Sequence, residues 1–394
     1  MKTSNPKNKQ RLFFTTLHEA VIPRAPENDV EKKKRIERTP KTLGIFAEAL
    51  LFSDQIVLNV NGPNLELPLL VNSFGFKNVC ELLESDTIQF SFCPGAITYL
   101  STKALESLKL KTSPGITRLF GTDPEFTDVF ESADKALKEQ TNLNREERRF
   151  LARQVYRNTK KLPDRKVFEE ALRLANSDIK SNLGKELGFS TKDFPEKGDF
   201  INEKERSMID ITNYNMIYLS MLLNKCNDLI SNPLGYRILQ NRVVVEPQYR
   251  DKIKISENIF SFEGIPNINE LFAINKLNIE DILDIRKSKH LREFRNWIGM
   301  LPQESNEKEV IKAYRHEIDK KISSKLSYKV LKIGVMTGVG AGIGSIGGLP
   351  GSIIGGAITD LVLGFGDIFF IDKLIDGWNP KIFIEKEIVN RINK

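Results

Sequence analysis

Apolar positions along the first 120 residues change their period several times. "KTLGIFAEALLFSD" (41–54) repeats apolar residues at helical spacing, and the β-branched run "QIVLNV" (55–60) reads as a strand. "LELPLLVNSFGFKNVCELLESD" (65–86) predicts one helix or two, and "TIQFSFCPGAITYL" (87–100) predicts a strand. "RLFFTTLHEAVIP" (11–23) holds one short strand, and the charged "ENDVEKKKRIERTPK" (27–41) reads as a solvated helix or a linker. Alternating element types of this kind predict a small α/β unit over residues 1–120.

From 121 to 330 the period is mostly helical. "NREERRFLARQVYRN" (144–158), "MIDITNYNMIYLSMLLNKCNDLI" (208–230) and "EVIKAYRHEIDKKI" (309–322) carry apolar residues at helical intervals. Asn144, Ser190 with Asp193, and Asn306 with Glu309 mark helix starts. "NINELFAINKLNIEDILDIRKSKHLREFRNWIGML" (267–301) reads as a string of short helices, and "RVVVEPQYRDKIKI" (242–255) as holding a strand. The expected fold class is mainly α, with a small N-terminal α/β unit and a C-terminal glycine-rich helical hairpin. The expected division is 1–120, 121–330, a hairpin at 331–376 and a C-terminal helix at 377–394.

That hairpin rests on a local break in the pattern. Ile333 to Thr359 is 27 residues without a charge, ten of them glycine. Gly334, Gly338 and Gly342 lie four apart, as do Gly340, Gly344 and Gly348, and Gly347, Gly351 and Gly355. Residues four apart share a helix face, and a glycine face lets two backbones approach closely, as in bilayer packing. In water each glycine costs about 1 kcal/mol relative to alanine in a helix. Gly348-Leu349-Pro350-Gly351 interrupts the stretch with turn chemistry and divides it into two arms. Asp360 and Asp367 lie seven apart on one face of the second arm and do not suit contact with lipid. Lys325, Lys329 and Lys332 precede the stretch, and Lys373, Lys381 and Lys386 follow it, which places both ends on one side of a bilayer. Two readings compete: a glycine-zipper hairpin that inserts in a membrane and self-associates, or a hairpin packed as core inside a soluble fold.

Composition narrows the function classes. The 394 residues are 40% hydrophobic and 28% charged, ordinary for a globular chain. The formal charge of +7 favours acidic partners, nucleic acid or anionic lipid, without choosing between them. Cys80, Cys93 and Cys226 form no CxxC pair and fit buried free thiols in a reducing compartment. The N-terminus shows no apolar leader, so the expected location is cytoplasmic, with membrane association through 331–376.

Candidate chemistry is sparse. His18, His290 and His316 are far apart and form no metal-binding spacing. Gly342, Gly344 and Gly347 spell GxGxxG, but the following "GLPGSIIGGA" is a poor helix, and no P-loop exists. No catalytic, cofactor or metal residues are assigned, no small-molecule substrate is indicated, and the balance is against an enzyme. The segment 145–166 holds nine basic and three acidic residues, with Arg149, Arg153 and Arg157 four apart and Lys160 and Lys161 extending the row. It reads as a solvated helix face or as a stripe for phosphates, with Phe150 and Tyr156 available for stacking or for core contacts. The second basic cluster, Arg286, Lys287, Lys289, His290, Arg292 and Arg295, reads as a salt-bridge network in which Arg292 and Arg295 pair with Asp281, Asp284 or Glu293, with a site for an acidic ligand as the alternative. Two function classes follow. One is a cytosolic, bacterial-type protein whose hairpin meets membrane, by analogy a membrane-perturbing effector in toxin or defence systems. The other is a soluble interaction protein whose basic helices bind nucleic acid or a protein partner.

Overall fold

The computed structural model describes residues 11–21, 29–60, 64–93, 96–100, 115–119, 127–181, 203–226, 228–231, 235, 237–238, 268–300 and 383–392. The glycine-rich stretch 331–376, with its glycines, Pro350, Asp360 and Asp367, lies outside them. So do the helix starts expected at Ser190 and Asn306 and the strand expected in 242–255. Among the described residues helices dominate, and they accompany a small parallel sheet. The chain divides into two compact units, residues 1–36 with 53–255, and residues 37–52 with 256–394.

The first unit is built on five parallel strands: β1 (Arg11–Phe14), β2 (Gln55–Val60), β3 (Ile88–Phe92), β6 (Thr159–Lys161) and β7 (Asp228–Ile230), in the order β6-β3-β2-β1-β7. A two-stranded antiparallel ribbon of β4 (Ala96–Leu100) and β5 (Gly115–Leu119) follows β3. The stretch read as one strand over 87–100 is thus two, in different sheets. Every residue of β2 is buried, as expected for a parallel strand covered on both faces.

Helices fill the connections. α1 (Thr16–Val21) follows β1, and α2 (Asp29–Phe52) leads to β2. α3 (Glu66–Phe74) and α4 (Phe76–Glu84) lie between β2 and β3. The break between them is Gly75 at φ 82°, a conformation that glycine adopts without the penalty a side chain would meet. α5 (Val129–Gln140), α6 (Arg145–Arg157), α7 (Asp164–Lys180) and α8 (Glu203–Leu223) complete the unit. α8 ends before the point that the apolar pattern predicts, because Asp228–Ile230 leaves it to become β7.

One face of the sheet packs on α7 and α8. Phe13, Val57 and Leu229 join Leu174, Ala175, Ile211, Ile217 and Met221 in a single apolar cluster. Two residues further along the strands the same face turns polar. Lys160, Ser91 and Asn59 are aligned by the register of β6, β3 and β2, and Thr15 and Ser231 continue it past the ends of β1 and β7. Asn224, just past the end of α8, donates from Nδ2 to Ser91 Oγ at 2.8 Å, and Thr15 Oγ1 donates to Ser231 Oγ at 3.1 Å. Beyond this row the face is apolar again, with Cys93 and Leu162 packed on Val167, Ala171 and Met216. A polar layer thus crosses the sheet between two apolar ones. Its central member, Asn59, is 5% exposed, and its Oδ1 has no hydrogen-bond partner.

The second unit gathers the C-terminal part of α2, α9 (Ile268–Ala273), α10 (Ile279–Lys287), α11 (Lys289–Met300), and a π-helical segment Ile384–Val389 running into α12 (Asn390–Ile392). The division between units falls within α2, at Ile36 and Glu37, one turn before Pro40. Proline has no N–H to donate to the carbonyl four residues back, so the helix ladder is thinnest at that turn. The string of short helices expected over 267–301 is present as three. Phe52, Phe294 and Phe383 cluster at centroid distances of 4.6 to 6.4 Å, with Phe294 stacked on Phe383 and Phe52 set edge-on and tilted to them.

The basic residues of α10 and α11 divide between ion pairs and helix capping. Arg286 donates to the carbonyl of Leu50, and Arg295 to those of Leu50 and Leu51. Both guanidiniums thereby cap the C-terminus of α2, where orphan carbonyls and the helix dipole favour cations. Asp281 and Asp284 are held by Arg391, at 3.2 and 3.6 Å, and Glu293 by Lys289 and His290. One turn before the capped end of α2, Glu48 is buried and accepts a hydrogen bond from Asn269 Nδ2 at 3.2 Å. Burial pushes its carboxyl up to about 7, and the Asn269 bond opposes that rise. Gly44 permits the approach: a Cβ there would lie 2.1 Å from the Asn269 carbonyl oxygen.

Candidate functional site

The described residues offer two places to look, the carboxyl edge of the sheet and the outer face of α6. In open parallel sheets, ligands sit outside the carboxyl ends of the strands where the connections change direction. Here that point lies between β1, which leads to β2 on one side, and β7, reached by a crossover from the opposite edge. Thr15 and Ser231 stand there, but they hydrogen-bond to each other, and Thr15 also bonds the Ile230 carbonyl through its N–H and its hydroxyl. The opening is closed by its own side chains.

The outer face of α6 is different. The helix starts at a capping box: Asn144 Oδ1 accepts from the N–H groups of Glu146 and Glu147 at 2.9 and 3.0 Å, and Glu147 Oε2 accepts from Asn144 N–H at 3.0 Å. Leu151, Ala152 and Val155 bury the inner face. Arg148 turns inward, 3.6 Å from Asp134 on α5. The remaining arginines, Arg145, Arg149, Arg153 and Arg157, recur every fourth residue and are all exposed. They form a row about 18 Å long at 1.5 Å rise per residue. Arg153 Nε donates to the Arg149 carbonyl at 3.0 Å, which lays its guanidinium along the helix.

Two aromatic residues flank the row. Phe150 is 37% exposed and Tyr156 56% exposed. The Phe150 ring lies 6.3 Å from that of Phe76 on α4. Arg145, Arg149 and Arg153 line an open cleft of about 670 Å³ together with Phe76 and Phe150, and with Glu146 and Glu147 at one end. The capping box fixes the Glu147 side chain, and Glu146 and Glu147 are the opposing charges of the lining.

The lysines read as continuing the stripe are placed differently. Lys160 and Lys161 are exposed on the edge strand β6, but Lys160 Nζ donates to the carbonyl of Leu223, the last residue of α8, and Lys161 Nζ to that of Thr127. Lys160 therefore serves the C-terminus of α8. Arg145 and Phe76 complete the face and were not singled out from sequence. Arg145 was legible there as one more step of four; Phe76 lies 74 residues from Phe150 and was not.

The thiols offer no nucleophile. Cys80, Cys93 and Cys226 are all buried. Burial, with Glu84 and Glu147 nearby, pushes Cys80 up to about 11. Among the described residues no group of His, Cys, Asp and Glu is arranged to hold a metal ion, and no helix is long and apolar enough to cross a membrane. No protein-family model matches this chain, and comparison with curated proteins and with solved structures returns no match.

Proposed function

We propose that this chain is a polyanion-binding protein and that α6 of the first unit is its binding face. One observation carries the reading: four arginines at intervals of four residues, all exposed, on a helix whose inner face is buried by Leu151, Ala152 and Val155. Guanidiniums suit phosphates because they present paired donors in a plane and stay charged at every physiological pH. The net charge of +7 points the same way. The test is retention on heparin. The full chain elutes at elevated salt, and Arg149→Gln/Arg153→Gln/Arg157→Gln elutes several steps earlier. Equal elution of the two proteins refutes the reading.

A second reading is favoured by the 27 uncharged residues with glycines four apart. In it the segment 331–376 associates with membrane through its glycine faces, and the protein acts there as an effector. The test is partition between membrane and cytosol after washing with high salt and carbonate, for the full chain and for a chain lacking 331–376. Retention that needs the segment supports this reading. A cytosolic full chain with an insoluble truncation makes the segment core instead.

A further inference from the structure

Resting on the polyanion reading, we infer that the arginine face of α6 takes single-stranded nucleic acid, with phosphates along the arginine row and bases stacked on Phe150 and Tyr156. Three features choose this occupant. First, single-strand binding sites combine a positive track with aromatic platforms that accept any base, and α6 carries both on one surface. Phe150 and Tyr156 are exposed beside the arginines rather than packed away, and Phe76 backs Phe150 so that its ring is held for stacking. Second, a lipid surface asks for a wide apolar face to bury among acyl chains. The apolar face of α6, Leu151, Ala152 and Val155, is already inside the protein. What remains outside is four arginines with Phe150 and Tyr156 beside them, and Glu146 in the first turn. Third, the cleft between α4 and α6 gives a flattened base a side to enter, lined by Phe76 and Phe150 with Arg149 at its margin.

The experiment uses the full-length chain and four probes: a fluorescent 20-nucleotide oligo(dT), the same strand with abasic sites, a 20-base-pair duplex, and phosphatidylserine-containing vesicles. Wild type is expected to bind oligo(dT) most tightly, with affinity that falls as salt rises. The triple arginine-to-glutamine variant is expected to lower the log–log salt slope by about 2, since each phosphate contact on a single strand contributes about 0.7. Phe150→Ala/Tyr156→Ala is expected to keep the wild-type salt slope while losing about 5- to 150-fold in oligo(dT) affinity per stacked base. It should bind the abasic strand as wild type does. All of these side chains are exposed, so matching circular dichroism and unfolding curves separate loss of binding from loss of fold.

The possible outcomes are distinct. If the arginine variant weakens binding but the aromatic variant does not, the polyanion reading stands and the single-strand assignment is overturned. Tighter binding to duplex, or vesicle binding that the arginine variant abolishes, overturns it in favour of that occupant. If neither variant changes binding to any probe, both readings of α6 fail.

Discussion

Glu48→Gln tests the electrostatics of the second unit with a sign that depends on pH. Glu48 sits inside α2, buried, with Asn269 as its hydrogen-bond partner, and its carboxyl is raised from the ordinary 4.5 to about 7. A raised carboxyl disfavours the folded state as the group ionises. Below pH 4.5 the residue is protonated in both the folded and the unfolded chain and contributes nothing. From pH 4.5 to 7 the folded state still holds the proton that the unfolded state has released, so stability falls by about 1.4 kcal/mol per pH unit. The total loss approaches about 3 kcal/mol and is complete above pH 7. Glutamine keeps the shape and an oxygen for the Asn269 donor, but never ionises. The variant should therefore match wild type near pH 4.5 and exceed it by about 3 kcal/mol at pH 8. Trp297 lies on α11 of the second unit, so urea unfolding followed by tryptophan fluorescence reads that unit. The expected gap at pH 8 is a shift of about 1 M urea or more. A difference that stays flat from pH 5 to pH 8 would refute the reasoning, because it would mean that the ionised carboxylate is as well solvated in the fold as in water.

Three further outcomes follow from the packing and the sequence. Gly44→Ala places a methyl group 2.1 Å from the Asn269 carbonyl oxygen, so α2 and α9 must separate; the same fluorescence assay should show a loss of about 1–3 kcal/mol. Asn59→Val removes a buried oxygen with no partner from a β-strand position, and circular dichroism during urea unfolding should show a gain of about 1 kcal/mol or more; a loss would mean that the carboxamide holds a water or a ligand. For the glycine-rich stretch, Gly338→Leu/Gly342→Leu should abolish oligomers in membranes while leaving the soluble body folded if the faces associate in lipid, whereas a lowered melting temperature in solution would place the stretch in a packed core.

Much of the first unit was legible in the sequence, and what was not has identifiable causes. β2 is long and β-branched, so its run of apolar residues announced it. β6 and β7 have three residues each, too few for a period to show, and both become strands because a neighbouring strand already offers them a register. The separation of β3 from β4 was signalled by Cys93-Pro94-Gly95, a turn sequence that the apolar run on either side outweighed in the reading. The arginine row was readable because spacing within one helix is local. The destinations of Lys160, Arg286 and Arg295 were not: their acceptors are carbonyls of helix ends 63 to 245 residues away, and a carbonyl carries no signature in sequence. The same limit explains why the capping of α2 by Arg286 and Arg295 was not foreseen.

β1 lies between β2 and β7, and its two neighbours reach it at very different times during synthesis. β2 follows within about fifty residues, but β7 does not exist until the ribosome has delivered residue 230. Until then Leu12, Phe13 and Phe14 form an edge with unpaired backbone groups, open to any other extended chain. Three residues, Asp228–Ile230, are all that later covers it, secured by Thr15 against Ile230 and Ser231. A fragment ending between 162 and 227 keeps four of the five strands and exposes the most adhesive one. Such fragments should aggregate when chains carried through 231 and beyond do not, which makes β7 a seal against misassembly.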